Sequence, residues 1–169
     1  SGKIRSLRDG SKPFMRHCLP TFQRMWIPPG PEGTRRTLQE MRKLAVKDSG
    51  SDEVLALAAL MPDAYTLDYW LRAVWTVVPD PPDAEFVMSP AVLIGCQFFA
   101  GDCDDAATLA ASILRAMRIP CQFVAIRTMR EADFSHVFCR VPSHRLDIDP
   151  IVPPVLIPIR YADAMVMDV

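Results

Sequence analysis

Three polar residues sit where their types and surroundings suit acyl-transfer chemistry. Cys103 lies in Gly101-Asp102-Cys103-Asp104-Asp105, His136 in Phe134-Ser135-His136-Val137, and Asp149 in Leu146-Asp147-Ile148-Asp149-Pro150. The residues after Cys103 read as a helix. That puts the thiol at a helix N-terminus, facing unpaired backbone N–H groups and the positive end of the dipole. Both favour the thiolate, the form that attacks a carbonyl carbon. The same N–H groups suit a developing oxyanion. Asp104 and Asp105 fit a first helical turn but oppose the thiolate wherever they point at the sulfur. A histidine is therefore needed to hold the ion pair and carry the proton.

Strand register decides whether Asp149 can serve that histidine. A turn centred on Ser143-His144 pairs Val141 with Leu146. Counting outward, Phe138 faces Asp149, and His136 lies two residues along on the same face. Diagonal neighbours are about 7–8 Å apart by backbone, within side-chain reach. Asp149 is thus placed to fix the imidazole tautomer, as in other nucleophile–base–orienter sets. Asp147 shares the face and is the alternative orienter, but it stands opposite Arg140 and suits an Arg140 pair better. A one-residue slip would turn both aspartates away.

Other uses of these residues are weaker. Cys103 alone would read as a buried structural cysteine, the reading given to Cys18, Cys96, Cys121 and Cys139. His17 and His144 read as solvated. Cys96, Cys103, His136 and Cys139 could in principle converge on zinc, but no CxxC pair occurs, and structural zinc sites usually show one. No metal or cofactor is expected, and no EF-hand-type calcium loop is visible.

The elements that must position the three residues follow from periodicity. Thr34 to Lys47 carries a capping-box pattern at Thr37-x-x-Glu40 and an apolar stripe of Leu38, Met41, Leu44 and Ala45. Further helices are expected from Ser51 or Asp52 to Leu60, from about Leu67 to Val77, and from Ala91 to Phe98 behind the start signal Ser89-Pro90. A longer helix, about Cys103 to Met117, is apolar on most sides and so buried, with Asp102 as its cap. Beyond it the period becomes two, and Gln122–Arg127, Ser135–Val141 and Arg145–Asp149 read as strands. Helices followed by an antiparallel meander make an α+β domain, with the cysteine-bearing helix packed on the sheet.

Composition sets the frame. The chain has 169 residues, of which 50% are hydrophobic and 23% charged, enough apolar material for one domain with a real core. A net charge of −1 argues against nucleic acid as a partner. No apolar run approaches the roughly 18 residues of a membrane span, and no signal-peptide h-region is visible. Five cysteines without paired spacing suit a reducing compartment. Residues 1–33 read as an extended, basic, proline-rich arm: residues 1–36 hold eight Lys or Arg against Asp9 and Glu32. The arm either packs on its own domain, wraps a neighbouring subunit, or contacts an acidic surface or nucleic acid. The domain is placed at 34–152, with a proline-rich tail over 153–169 crossing the surface.

Gly-Asp-Cys-Asp-Asp, a helix ending in Ile119-Pro120, then Phe-Ser-His-Val-Phe, then Asp149-Pro150 together resemble the transglutaminase-like cysteine-enzyme superfamily, above all small members from bacteria and their phages. The likeness covers about Thr34 to Ile151. It implies a papain-like α+β core with Cys103 as nucleophile, His136 as general base and acid, and Asp149 as orienter. It also implies amide chemistry on a protein or peptide substrate through an acyl-thioester. Gln97 stands at the interval where papain-type peptidases place an oxyanion glutamine, although Phe98-Phe99 and a separate short helix intervene. Animal relatives use a tryptophan there; Trp70 and Trp75 match by type, and their neighbours favour core packing. The location implied is the bacterial cytoplasm, or the virion if the chain is phage-encoded. The alternative function is that of a phage neck, tail or other assembly component that keeps the fold without catalysis and binds its partner through the arm.

Overall fold

The computed structural model describes residues 24–25, 30–81, 85–154 and 160–169. Most of the arm, residues 1–23 and 26–29, lies outside the described residues, and so does the basic segment that motivates an assembly role.

The first helix, α1 (Pro31–Asp48), begins three residues before the expected start. Gly30 enters at φ 81 and Pro31 takes the first helical position, which a proline favours because its missing N–H has no helical partner to lose. Residues 31–33 therefore belong to the domain and not to the arm. Next come α2 (Asp52–Ala58), capped by Ser51, and α3 (Ala64–Val74), capped by Asp63. The third helix was expected to run to Val77. It stops at Val74 because Trp75 turns extended and Thr76–Val77 becomes a strand, β2. That strand pairs in parallel with β4 (Ala100–Gly101), Thr76 opposite Ala100 and Val77 opposite Gly101. A distant strand partner here overrides local helix propensity. A second short pair joins β1 (Arg24–Met25) to β3 (Glu85–Phe86), antiparallel. The helix α4 (Pro90–Gly95) is shorter than the 91–98 expected; Gln97, at φ 53, lies just past its end.

The central helix α5 (Cys103–Ala116) fills the middle of the molecule. Leu109, Ala110, Ile113 and Leu114 are fully buried, and α1, α2, α3 and α4 pack around it. Its other neighbour is a four-stranded antiparallel sheet in the order β7-β6-β5-β8, made of β5 (Gln122–Arg127), β6 (His136–Val141), β7 (Leu146–Ile148) and β8 (Asp163–Asp168). Alternation sorts the faces. Phe123, Ala125, Val137, Cys139, Val141 and Ile148 join the helical core, while Val124, Ile126 and Phe138 form a second apolar cluster with Ala164. The chain is thus an α+β fold with the cysteine-bearing helix against an antiparallel sheet.

The last strand corrects the reading of residues 153–169 as a surface tail. Residues 163–168 pair with β5 along their whole length, from Gln122 opposite Asp168 to Arg127 opposite Asp163. Their sequence alone gives no strand boundary: it is the unpaired edge of β5 that recruits them.

The hairpin of β6 and β7 turns through a 3₁₀ turn at Pro142–His144, and Arg145 adopts φ 50 to close it. Val141 faces Leu146 and Arg140 faces Asp147, the register expected from the turn. Helix α3 braces this hairpin twice. The Tyr65 hydroxyl donates to the His144 carbonyl at 3.0 Å, and Arg72 Nη1 donates to the Val152 carbonyl at 2.9 Å.

Candidate active site

Cys103 takes the first position of α5, half-buried. The cap residue Asp102 makes no side-chain cap hydrogen bond, and the first backbone bond of the helix is Ala106 N–H to the Asp102 carbonyl at 3.2 Å. The N–H of Cys103 precedes that bond and has no backbone partner among the described residues.

His136 opens β6, with its side chain 14% exposed. Nε2 meets Asp149 Oδ2 at 2.6 Å, and Asp149 is only 2% exposed. The Cys103 side chain lies near enough to the imidazole to raise its pKa. With Nε2 taken, the ring nitrogen left for the thiol is Nδ1. Burial pulls the imidazole pKa down, but the bond to Asp149 and the charges of Asp149 and Cys103 outweigh it and raise the ring to about 10. Asp149 is itself fixed: Oδ1 accepts the N–H groups of Ile151 and Val152 at 3.1 and 3.2 Å, a turn that aspartate side chains form readily. The structure therefore brings Cys103, His136 and Asp149 together in one chain of contacts.

The other orienter candidate is committed elsewhere. Asp147 accepts Arg140 Nε and Nη2 at 2.7 and 2.9 Å, and the guanidinium lies over the Phe138 ring at 5.3 Å. Gln97 is exposed at the turn after α4, and no hydrogen bond holds its side chain among the described residues. Trp70 packs edge-on against Phe99 at 5.0 Å. Trp75 packs against the core, and its Nε1–H is buried without a partner among the described residues. Cys121 and Cys139 are buried thiols in mutual contact, with Cys139 pushed up by its bond with Cys121 and by burial. His144 is half-buried and bonds Ser143 instead of standing free in solvent.

Sequence reasoning gave Asp104 and Asp105 the place of first-turn acids, which are ordinarily solvated. Both are instead buried, at 3% and 2% exposure. No donor among the described residues reaches either oxygen of Asp104. Burial, then the adjoining Asp102 carboxyl, raises Asp104 well above the usual carboxylate range. Oxygens of Asp102, Asp104 and Asp105 lie within 4.8 Å of one another, close enough to share a proton or a cation. Among the described residues they are the one such group, so Cys96, Cys103, His136 and Cys139 do not converge as zinc ligands. No local pattern distinguishes a buried helix-start acid from a solvated one; the burial comes from segments far away in sequence.

Comparison of the chain with family profiles, with curated proteins and with solved structures finds no match in any of the three.

Proposed function

We propose that this protein is a thiol-dependent amide hydrolase or acyl transferase with a papain-like, transglutaminase-like core. Cys103 attacks the carbonyl carbon of a protein or peptide amide, and the Cys103 N–H receives the oxyanion. The C–N bond breaks, and the His136 imidazolium gives its proton to the leaving amine. An acyl-thioester remains. His136 then takes a proton from water or a second amine, which attacks the thioester and releases an acid or a new amide along with the free thiol. Asp149 keeps the imidazole in the tautomer that can take the thiol proton.

The observation that carries this reading is the 2.6 Å contact of His136 Nε2 with Asp149, on an imidazole whose pKa Cys103 also raises. A histidine raised to about 10 stays protonated across neutral pH. The reading uses the Cys103 amide as its oxyanion donor; Gln97 would have to leave its exposed position to join it.

Iodoacetamide labelling of Cys103 against pH, followed by peptide mass spectrometry with Cys96, Cys121 and Cys139 as internal controls, tests the proposal. The expected profile has a plateau reaching well below the free-thiol value of about 8.5, lost in His136→Ala. Ordinary thiol behaviour, or a plateau that survives His136→Ala, would overturn it and favour the assembly-component reading.

A further inference from the structure

We infer that Asp105 is the positioning residue of this site: its carboxyl ties the loop bearing Cys103 to the backbone at Met88 and so fixes where the nucleophile stands. The inference rests on the reading of Cys103 as nucleophile.

Asp105 Oδ1 accepts the Met88 N–H at 2.6 Å. From the third position of α5, the same carboxyl also faces the backbone N–H of Asp102, the cap residue, which favours its charged form. An acid at that position reaching back to the cap amide is one half of a capping box. The other half is missing, because the Asp102 side chain makes no cap bond. The start of α5, and Cys103 with it, is thus held by Asp105 and not by its own cap.

Gly101 shows how closely the carboxyl sits on this loop. A Cβ at Gly101 would stand 2.9 Å from Asp105 Cβ and Cγ, nearer than real side chains approach, and Gly101 holds φ 157. Glycine at 101 lets the carboxyl close over the turn before the nucleophile. The Met88 amide would be left unsatisfied by removal of Asp105, a costly state at a site 2% exposed. Its neighbour Asp104 finds no donor, so the tie is specific to Asp105. Burial, against the pull of the Met88 N–H and with Asp102 and Asp80 nearby, raises the Asp105 carboxyl to about 8. At pH 6 it is the neutral acid that makes the tie, and asparagine is its nearest mimic.

The test compares wild type, Asp105→Ala, Asp105→Asn, Gly101→Ala and Asp48→Ala by three measurements: Cys103 labelling against pH, Tm, and hydrogen exchange at the Met88 and Asp102 amides. Asp48 is the control. It is a buried acid that accepts from Ser89 Oγ and the Ala91 N–H at the start of α4, so its loss loosens the segment next to Met88 without removing the Asp105 bond. Asp105→Ala should slow labelling at pH 6 by about tenfold or more, as expected for a misplaced reacting group, and should speed exchange at both amides. Asp105→Asn keeps an acceptor for Met88 and should retain most of the reactivity. Gly101→Ala pushes the carboxyl off the loop and should reproduce the Asp105→Ala profile, which covers the case in which Asp105→Ala does not fold. Asp48→Ala should lower Tm without moving the profile. A wild-type profile in Asp105→Ala or Gly101→Ala overturns the inference. So does an equal shift in Asp48→Ala at similar Tm loss. If wild-type Cys103 labels as an ordinary thiol, the proposed function fails separately. Amide exchange then decides the tie: faster in Asp105→Ala upholds it, unchanged overturns it.

Discussion

Replacing Asp149 by asparagine separates the two tasks of its carboxyl. Oδ1 holds the Ile151 and Val152 amides and Oδ2 holds His136. Asparagine preserves the first task through its amide oxygen and turns an NH₂ group toward the imidazole. Nε2 must then accept, so the ring proton moves to Nδ1, the nitrogen facing the thiol. The imidazole loses both its charge partner and the tautomer that can take a proton from Cys103. The two side chains are 14% and 2% exposed, so solvent screens the contact little. A charge-assisted hydrogen bond of this kind is worth about 1.5–3 kcal/mol, which corresponds to roughly one to two pH units. His136 should therefore titrate about one to two pH units below its wild-type value of about 10. Cys103 labelling at pH 6 should fall roughly 10- to 100-fold as the ion pair weakens. NMR titration of the His136 ring in wild type and Asp149→Asn, alongside the labelling profile, measures both. An unchanged His136 titration together with unchanged labelling would refute the orienter role.

The same linkage has a sign for stability. The His136 pKa is raised in the fold, from the ordinary histidine value of 6.5 to about 10. Its contribution is therefore complete below about 6.5 and lost as pH rises through 10. Calorimetry should show the Tm advantage of wild type over Asp149→Asn level up to about pH 8 and shrinking from there toward 10; an advantage that grows would contradict it. Arg140→Met removes the Asp147 pair, whose side chains are 31% and 18% exposed. It should cost about 0.5–1 kcal/mol in denaturant unfolding while leaving Cys103 labelling unmoved; altered labelling would bring Asp147 back as an orienter. Leu109→Ala empties a fully buried position on α5 and should cost about 2–5 kcal/mol. A loss well below that range would mean the helix is not packed as described.

What was legible in the sequence was local. The Ser89-Pro90 start, the cysteine-bearing helix and the three strands of the meander each rest on signals within a few residues: a cap, a 3.6-residue stripe, a two-residue alternation. The hairpin register followed from a tight turn, because a period of two leaves one pairing that buries Val141, Cys139 and Ile148 together. That register let Asp149 be distinguished from Asp147 as the residue in reach of His136.

The sequence by itself determined the order of the helices and of the three meander strands, the helix start under Cys103 and the face shared by His136 and Asp149. Only the tertiary structure decided what depends on segments meeting from afar. Helix α3 ends early because Thr76 and Val77 find strand partners at Ala100 and Gly101. Residues 163–168 become a strand because β5 offers them an open edge. Asp105 is buried where the segment around Met88 meets the start of α5. A helical or strand signal is written in neighbouring residues, whereas burial and the pairing of short strands are properties of two distant segments at once.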